Sequence, residues 1–160
     1  MNRKKFETYT PPGVAFWTQL KFCLGGLGVA IAWSISYLIK YSSAHANLYE
    51  YTFRGRVLKS GIYMIDFQKL VHSGIDSFDG FLVFYFMMVG MLVYHYLYYY
   101  QGSKSIYLMR RLPNRWEVHR RSITLPFAAF VIAVMTEIAL WLLYYGIYLV
   151  CTPAQCLPLY

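Results

Sequence analysis

The chain has 160 residues, of which 58% are hydrophobic, 20% are aromatic and only 14% are charged. Such proportions do not suit a water-soluble core of this size, and the apolar residues form long blocks instead of periodic stripes. Burial in lipid therefore explains these blocks better than burial in the core of a water-soluble protein. The net charge of +8 is unevenly distributed along the chain, so it does not indicate nucleic-acid binding.

The amino-terminal segment, residues 1–21, is predicted to lie in the cytoplasm and at its membrane interface. It is polar up to Pro11-Pro12, which interrupts any helix. Gly13 to Lys21 then form a short amphipathic stretch that carries Phe16 and Trp17. Such a stretch is typical of an interfacial helix.

Three apolar blocks are predicted to be transmembrane helices, which makes the fold all-α. They are residues 22–39, which Lys40 closes, residues 81–100, and residues 123–150. A helix needs about 20 apolar residues to cross a hydrocarbon core of about 30 Å. The third block is longer, so it must tilt or emerge at one end. Backbone groups in lipid must bond within the segment, which also requires helices.

A cleaved signal sequence is the alternative for the first block. Basic residues precede the block, and Ala44-His45-Ala46 has the small-x-small form of a cleavage site. However, the block is longer than a signal core of about 7 to 15 residues and begins late in the chain.

Small residues recur every four positions on two neighbouring stripes of the first span. Residues of this kind let another helix approach closely, which matters because lipid supplies no hydrophobic drive for association. We expect these stripes to contact either another span of this chain or another subunit. The stripes are Gly26, Ala30 and Ser34, and Gly28, Ala32 and Ser36.

The segments predicted to be outside are the loop 40–80 and the tail 151–160. Within the loop, the spacing of Tyr63, Phe67, Leu70 and Val71 predicts one short interfacial helix. The tail holds two cysteines. Their spacing allows a disulfide between them but does not show that one forms. No histidine lies nearby, so we expect no metal site. The two cysteines are Cys151 and Cys156.

Tyrosine and tryptophan gather near two predicted helix ends. The favoured interpretation is an aromatic belt at each membrane interface, and the alternative is a ligand cage. One group is Tyr94, Tyr96, Tyr98, Tyr99 and Tyr100, and the other is Trp141, Tyr144, Tyr145 and Tyr148.

Basic residues indicate the orientation. Four precede the first span and six lie in the second loop, residues 101–122, whereas the five in the loop 40–80 are offset by four acids. With three spans, the positive-inside rule places the amino terminus in the cytoplasm and the carboxyl terminus outside. We therefore expect a multi-pass protein of the plasma membrane, in contact with its lipids.

Two ionisable residues fall inside predicted spans, His95 in the second and Glu137 in the third. An ionised carboxylate near the bilayer centre costs about 3 kcal/mol on insertion scales. Glu137 should therefore face protein, where it is protonated, pairs with a donor such as His95, or lines a solvated substrate path.

The second loop carries an organised motif between Ser103 and Glu117. Three apolar residues share one helical face, and Pro113 disfavours helix at the residue before it. Asn114 can then cap a new helix with Glu117 at its third position. A short helix of this kind suits docking into a groove of a soluble partner. The apolar residues are Ile106, Met109 and Leu112.

This run, with its Leu-Pro-x-Arg-x-Glu element, resembles the first cytoplasmic loop of ABC exporter permeases of the second membrane-domain type. The resemblance implies a coupling helix that rests on an ATPase subunit. It also implies a second permease subunit or a homodimer, because such permeases have six spans per domain and this chain has three. The docking candidates are Ile106, Met109, Leu112, Pro113, Arg115 and Glu117.

The resemblance implies a non-catalytic membrane subunit of an ABC-type exporter, without a cofactor of its own. A small membrane adaptor or sensor, with an outer recognition loop and no ATPase partner, is the alternative. A membrane enzyme is disfavoured because the histidines are dispersed and no phosphate loop or metal-binding spacing occurs.

Overall fold

The computed structural model describes residues 16–53, 55–59, 61–101 and 115–157. The chain is mostly helical, and three helical stretches are long and apolar enough to cross a membrane: Phe16–Ala46, Asp79–Leu97 and Ser122–Cys151. This confirms the predicted helical character and the three apolar helices of spanning length. The predicted docking residues Ile106, Met109, Leu112 and Pro113 lie outside the described residues.

The elements in chain order are α1 (Phe16–Ser34), α2 (Ser36–Ala46), β1 (Tyr49–Thr52), β2 (Gly55–Leu58), α3 (Phe67–Val71), α4 (Asp79–Gln101) and α5 (Arg115–Cys151), followed by a 3-10 turn at Ala154–Cys156. The separate interfacial helix expected before the first span is absent from residues 16–21. These residues instead form the first turns of α1, since no helix breaker follows Gly13 until the span itself has begun.

A local break at Ile35 separates α1 from α2. The Ser34 hydroxyl donates to the Ile31 carbonyl at 2.7 Å, and the Ile35 amide bonds to Ala32 three residues back. Serine bonds of this type often bend helices. The helix then continues through Lys40, whose ammonium group donates to the carbonyl of Ile75 at 2.6 Å. A charge therefore does not end the helix where the apolar block ends.

The loop 40–80 is folded. β1 and β2 form an antiparallel hairpin in which Thr52 pairs with Gly55, and Gly55 has a positive φ of 120°. The short helix predicted in this loop is present as α3. Phe67, Leu70 and Val71 are buried on it, whereas Tyr63 precedes it and is exposed.

The chain divides into two compact units. The first lies within Met1–Val29 and Phe81–Met135, and the second within Ala30–Gly80 and Thr136–Tyr160. The division falls inside α1, α4 and α5. Large apolar side chains on these helices are exposed, for example Phe86 at 70% and Met135 at 65%. Such exposure is expected of helices that face lipid.

In the first unit, α1 packs antiparallel to α4. Cys23 contacts Met91, with 3.9 Å between the sulfurs, and Gly26 lies against the ring of Phe84. Between α4 and α5, the ring centroids of Tyr85 and Phe130 are 5.0 Å apart.

The second unit has a core of aromatic rings from α2, α3 and α5. Tyr37 stacks on Tyr144 with ring centroids 4.8 Å apart, and Phe67 meets Tyr148 edge-on at 5.7 Å. The carbonyl of Cys156 accepts a 2.7 Å bond from the Met64 amide, which ties the tail to the segment before α3.

Candidate functional site

A buried polar cluster joins three helices of the first unit. The imidazole of His95, on α4, is fully buried. Its Nε2 is hydrogen-bonded to the side-chain amide of Gln19 on α1, and its Nδ1 lies 3.0 Å from the backbone carbonyl of Ser122 on α5. Polar groups are costly inside a membrane unless they bond to one another, so the cluster is expected to hold these helices together.

Pro126 explains why a backbone carbonyl is available to His95. In an uninterrupted helix the Ser122 carbonyl would accept from the amide four residues later, and that residue is Pro126. Proline has no N–H, so it leaves the carbonyl without its helical donor. Groups on neighbouring helices commonly satisfy carbonyls freed in this way within membranes.

The acceptor on α5 determines the hydrogen-bond roles of the two ring nitrogens of His95. A carbonyl only accepts, so Nδ1 of His95 must carry the proton, and Nε2 then accepts from the Gln19 NH₂ group. The ring therefore donates to α5 and accepts from α1. Two further polar atoms here are buried without a hydrogen-bond partner among the described residues, the Gln19 Oε1 and the Ser122 Oγ.

An open, mostly apolar groove borders this cluster, with a volume of about 390 Å³. This volume lies at the lower end of small-ligand sites, which measure about 300 to 1,000 Å³. Gln19 belongs both to the cluster and to the wall of the groove. The lining residues are Thr18, Gln19, Phe22, Met87, Gly90, Met91 and Tyr94.

A second polar group lies in the aromatic core of the other unit. The Ser34 hydroxyl donates to Ile31, so the Tyr144 hydroxyl must donate to Ser34 Oγ, at 2.9 Å. The Tyr148 hydroxyl donates to the Ile65 carbonyl at 3.2 Å. The hydroxyl of Tyr37 is also buried but has no partner among the described residues.

Tyr37→Phe and Tyr144→Phe should therefore have opposite effects on stability. Removing the unpaired Tyr37 hydroxyl removes a desolvation cost, so the free energy of unfolding should stay constant or rise. Removing the Tyr144 hydroxyl breaks a bond and should cost about 1 kcal/mol. Unfolding of both variants in mixed detergent micelles measures this difference. Equal losses would show that the Tyr37 hydroxyl is paired in solution.

Of the four aromatic residues predicted to form a belt near the carboxyl end of α5, two are exposed and two are buried. Trp141 and Tyr145 are exposed and stack on each other, with centroids 5.8 Å apart. Tyr144 and Tyr148 are instead buried in the core, because they face α2 and α3. Helical periodicity places Trp141 and Tyr145 on a different face of α5 from Tyr144 and Tyr148. The residues that bury Tyr144 and Tyr148 belong to α2 and α3, which are distant in sequence.

The two stripes of small residues on the first span differ in their surroundings. A Cβ added to Gly26 would lie 3.0 Å from the Phe84 ring, and its companions Ala30 and Ser34 are buried. By contrast, Gly28 and Ala32 are exposed and Ser36 is half-buried. The first stripe therefore packs within the chain.

Glu137 is half-buried on α5, one turn after the fully buried Ala133. His95, which the sequence offered as one partner for Glu137, instead uses both ring nitrogens for Gln19 and Ser122.

The disulfide left open by the cysteine spacing is not formed. Cys151 and Cys156 are both free thiols. Cys156 is buried in the core of the second unit and Cys151 is exposed, so the two sulfurs occupy different surroundings. Among the described residues, no group of three or more His, Cys, Asp or Glu could hold a metal ion.

No protein-family model, curated protein or solved structure matches this chain. The geometry of the chain and the motif in its second loop are therefore the grounds for assigning a function.

Proposed function

We propose that the chain is a three-span subunit of the plasma membrane, with its amino terminus in the cytoplasm and its carboxyl terminus outside. The three long apolar helices and their exposed side chains support the spans. The gathering of basic residues before α1 and between α4 and α5 supports the orientation.

Within this topology, the subunit belongs to an ABC-type exporter and docks a separate ATPase through residues 103–117. The observation that carries this proposal is the Leu-Pro-x-Arg-x-Glu element with its apolar stripe, placed between two helices that are long enough to span. The helix α5 begins at Arg115, directly after the position that Asn114 would occupy as its cap. The chain itself carries out no catalysis, and the ATPase hydrolyses ATP.

A second permease subunit, or a second copy of this chain, completes the membrane domain. The exposed stripe of Gly28 and Ala32 supports such a partner, because a Cβ added to Gly28 would meet nothing within 4 Å. Small exposed residues on a spanning helix permit close approach of another helix. Glu137 is the candidate for the substrate path, because ionisable residues inside spans commonly mark substrate or ion pathways.

Copurification with an ABC-type ATPase from the same organism tests the docking role. Deleting Ser105 to Leu112 should abolish the association. Ile106→Asp with Met109→Asp should do the same, because charges on the apolar stripe oppose its burial in a groove. The matched control is Ser103→Asp with Tyr107→Asp, which adds equal charge on the other side of the predicted helix and should still copurify. Retention of the ATPase by the deletion variant would refute the proposal.

A membrane adaptor or sensor is the second candidate. The folded outer segment favours it, since the hairpin and its neighbours expose apolar side chains such as Phe53, Val57 and Ile62. This function requires no ATPase. Absence of any copurifying ATPase, together with a response that depends on the outer segment, would favour the adaptor over the exporter subunit.

A further inference from the structure

The loop 71–77, between α3 and α4, surrounds the ammonium group of Lys40 with oxygen atoms. Three of them accept a hydrogen bond from Nζ: the Ile75 carbonyl at 2.6 Å, the Ser77 hydroxyl at 3.3 Å and the Val71 carbonyl at 3.5 Å. A lysine ammonium group has three N–H donors and no acceptor, so its donors match these oxygens in number. All three acceptors are neutral groups, and hydrogen bonds therefore recognise the ion here.

The shape of this loop is set by bonds that do not involve the ammonium group. The Val71 carbonyl accepts from the Ser77 amide at 3.3 Å, which closes the loop on itself. Gly74 has a positive φ of 71°, a conformation that glycine adopts without steric cost. The Asp76 carbonyl accepts from the indole Nε1 of Trp33 at 3.3 Å, so α1 is bonded to the loop as well. We therefore expect the acceptors to keep their places when the ammonium group is removed.

The number and arrangement of the acceptors favour one class of ion. Calcium takes about six to eight oxygen ligands, usually with carboxylates among them, and the loop offers three neutral oxygens. A guanidinium group is a planar fork that matches carboxylates and phosphates, whereas these three acceptors converge on a single nitrogen. A primary ammonium ion fits both the number and the convergence. Ile75 is exposed and Lys40 is half-buried, so the site reaches the surface of the chain.

We propose that the loop 71–77 is a binding site for a primary alkylammonium ion, and that the side chain of Lys40 is the ligand that the chain itself supplies. Because this ligand is attached to α2, its binding joins α2 to the loop that leads into α4. The site does not depend on the exporter assignment, since all of these contacts lie within the second unit.

Rescue of Lys40→Ala by an added amine tests the site on the full chain in detergent micelles. The probe is n-propylammonium, which replaces the atoms that alanine lacks. Tetramethylammonium is the control ion, because it carries the same charge but has no N–H donor. The control variant is Lys69→Ala, which removes the same side chain from an exposed position on α3. The reporter is the fluorine NMR resonance of fluorotryptophan at Trp33, which bonds to the loop and is assigned with Trp33→Phe.

Lys40→Ala is expected to shift the Trp33 resonance, and n-propylammonium should return it to the wild-type position in a saturable manner. Tetramethylammonium should leave the resonance shifted, and Lys69→Ala should not shift it. The proposal would be overturned by a resonance that does not move in Lys40→Ala, that ignores n-propylammonium or that responds equally to both ions.

Acylation of the wild-type chain gives a second measurement, which does not depend on the folding of a variant. An acylating reagent attacks a free amine, so an ammonium group held by three acceptors must first leave them. Lys40 should therefore react about tenfold more slowly than Lys59, which is half-buried as well, and the two should react equally fast after unfolding. Mass spectrometry of the labelled peptides measures both rates. Equal rates in the folded chain would also overturn the site.

Discussion

Replacing His95 with alanine should destabilise the protein by about 2 kcal/mol, because it removes the group that joins three helices. The Gln19 amide loses its acceptor and the Ser122 carbonyl loses its donor, and both residues are buried. Unfolding in mixed detergent micelles, followed by helix content, measures the loss. His72→Ala is the control, since the His72 ring is exposed and pairs with Asp76 at the surface, and such a pair is expected to contribute at most about 1 kcal/mol.

A double-mutant cycle with Pro126→Ala tests the role of the freed carbonyl. Alanine at 126 supplies an amide that can donate to the Ser122 carbonyl within the helix. The carbonyl then no longer depends on His95, so His95→Ala should cost about 1 kcal/mol less in the Pro126→Ala background. Strictly additive losses would show that the carbonyl is not what His95 stabilises.

Gly80→Ala is expected to give the second large loss, about 1 to 3 kcal/mol, through overpacking. A Cβ at Gly80 would lie 2.9 Å from the Cβ of Trp33 and 3.1 Å from the Cα of Ala30. Both atoms are fixed by the backbone of α1, so α4 would have to move away from it. The same unfolding measurement applies.

Two other glycines complete a graded series. At Gly26 an added Cβ meets only side-chain atoms, the nearest 3.0 Å away on the ring of Phe84, so Gly26→Ala should cost less than Gly80→Ala. At Gly28 an added Cβ meets nothing within 4 Å, and alanine should stabilise the helix by about 0.5 to 1 kcal/mol. A loss at Gly28 equal to that at Gly80 would mean that close packing does not decide these effects.

The helical class and the three apolar helices could be predicted from the sequence. A long block with few or no charges shows by its own composition that it avoids water, so no knowledge of distant contacts is required. The helix limits could not be read in the same way. Lys40 closes the apolar block, yet the helix continues to Ala46 because the carbonyl of Ile75 and the hydroxyl of Ser77 accept from its ammonium group. Those acceptors lie more than thirty residues away along the chain.

The loop 40–80 was predictable in part. The apolar spacing around Phe67 and Leu70 indicated α3, because helical periodicity is a local signal. The hairpin was missed, although Tyr49 and Tyr51 alternate with polar residues and Gly55 permits the positive φ of its turn. In a chain dominated by long apolar blocks, an eight-residue pattern is a weak signal.

The polar cluster was predicted only through His95. Gln19 was missed because it lies before the first apolar block, in a segment taken as interfacial. Pro126 was a usable signal, since a proline within a long helix always frees the carbonyl four residues earlier. Which side chain donates a hydrogen bond to that carbonyl depends on tertiary packing. A single sequence does not reveal that packing.

The central claim, three spans with the amino terminus inside, is tested most directly by labelling Cys151 with a membrane-impermeant maleimide. Cys151 is exposed, whereas Cys23 and Cys156 are buried. In intact cells treated beforehand with an impermeant reductant, Cys151 should react, while a cysteine introduced by Ser103→Cys in the second loop should react only after the cells are opened. Reaction of Cys151 only in opened cells, or of both residues from the same side, would contradict the account.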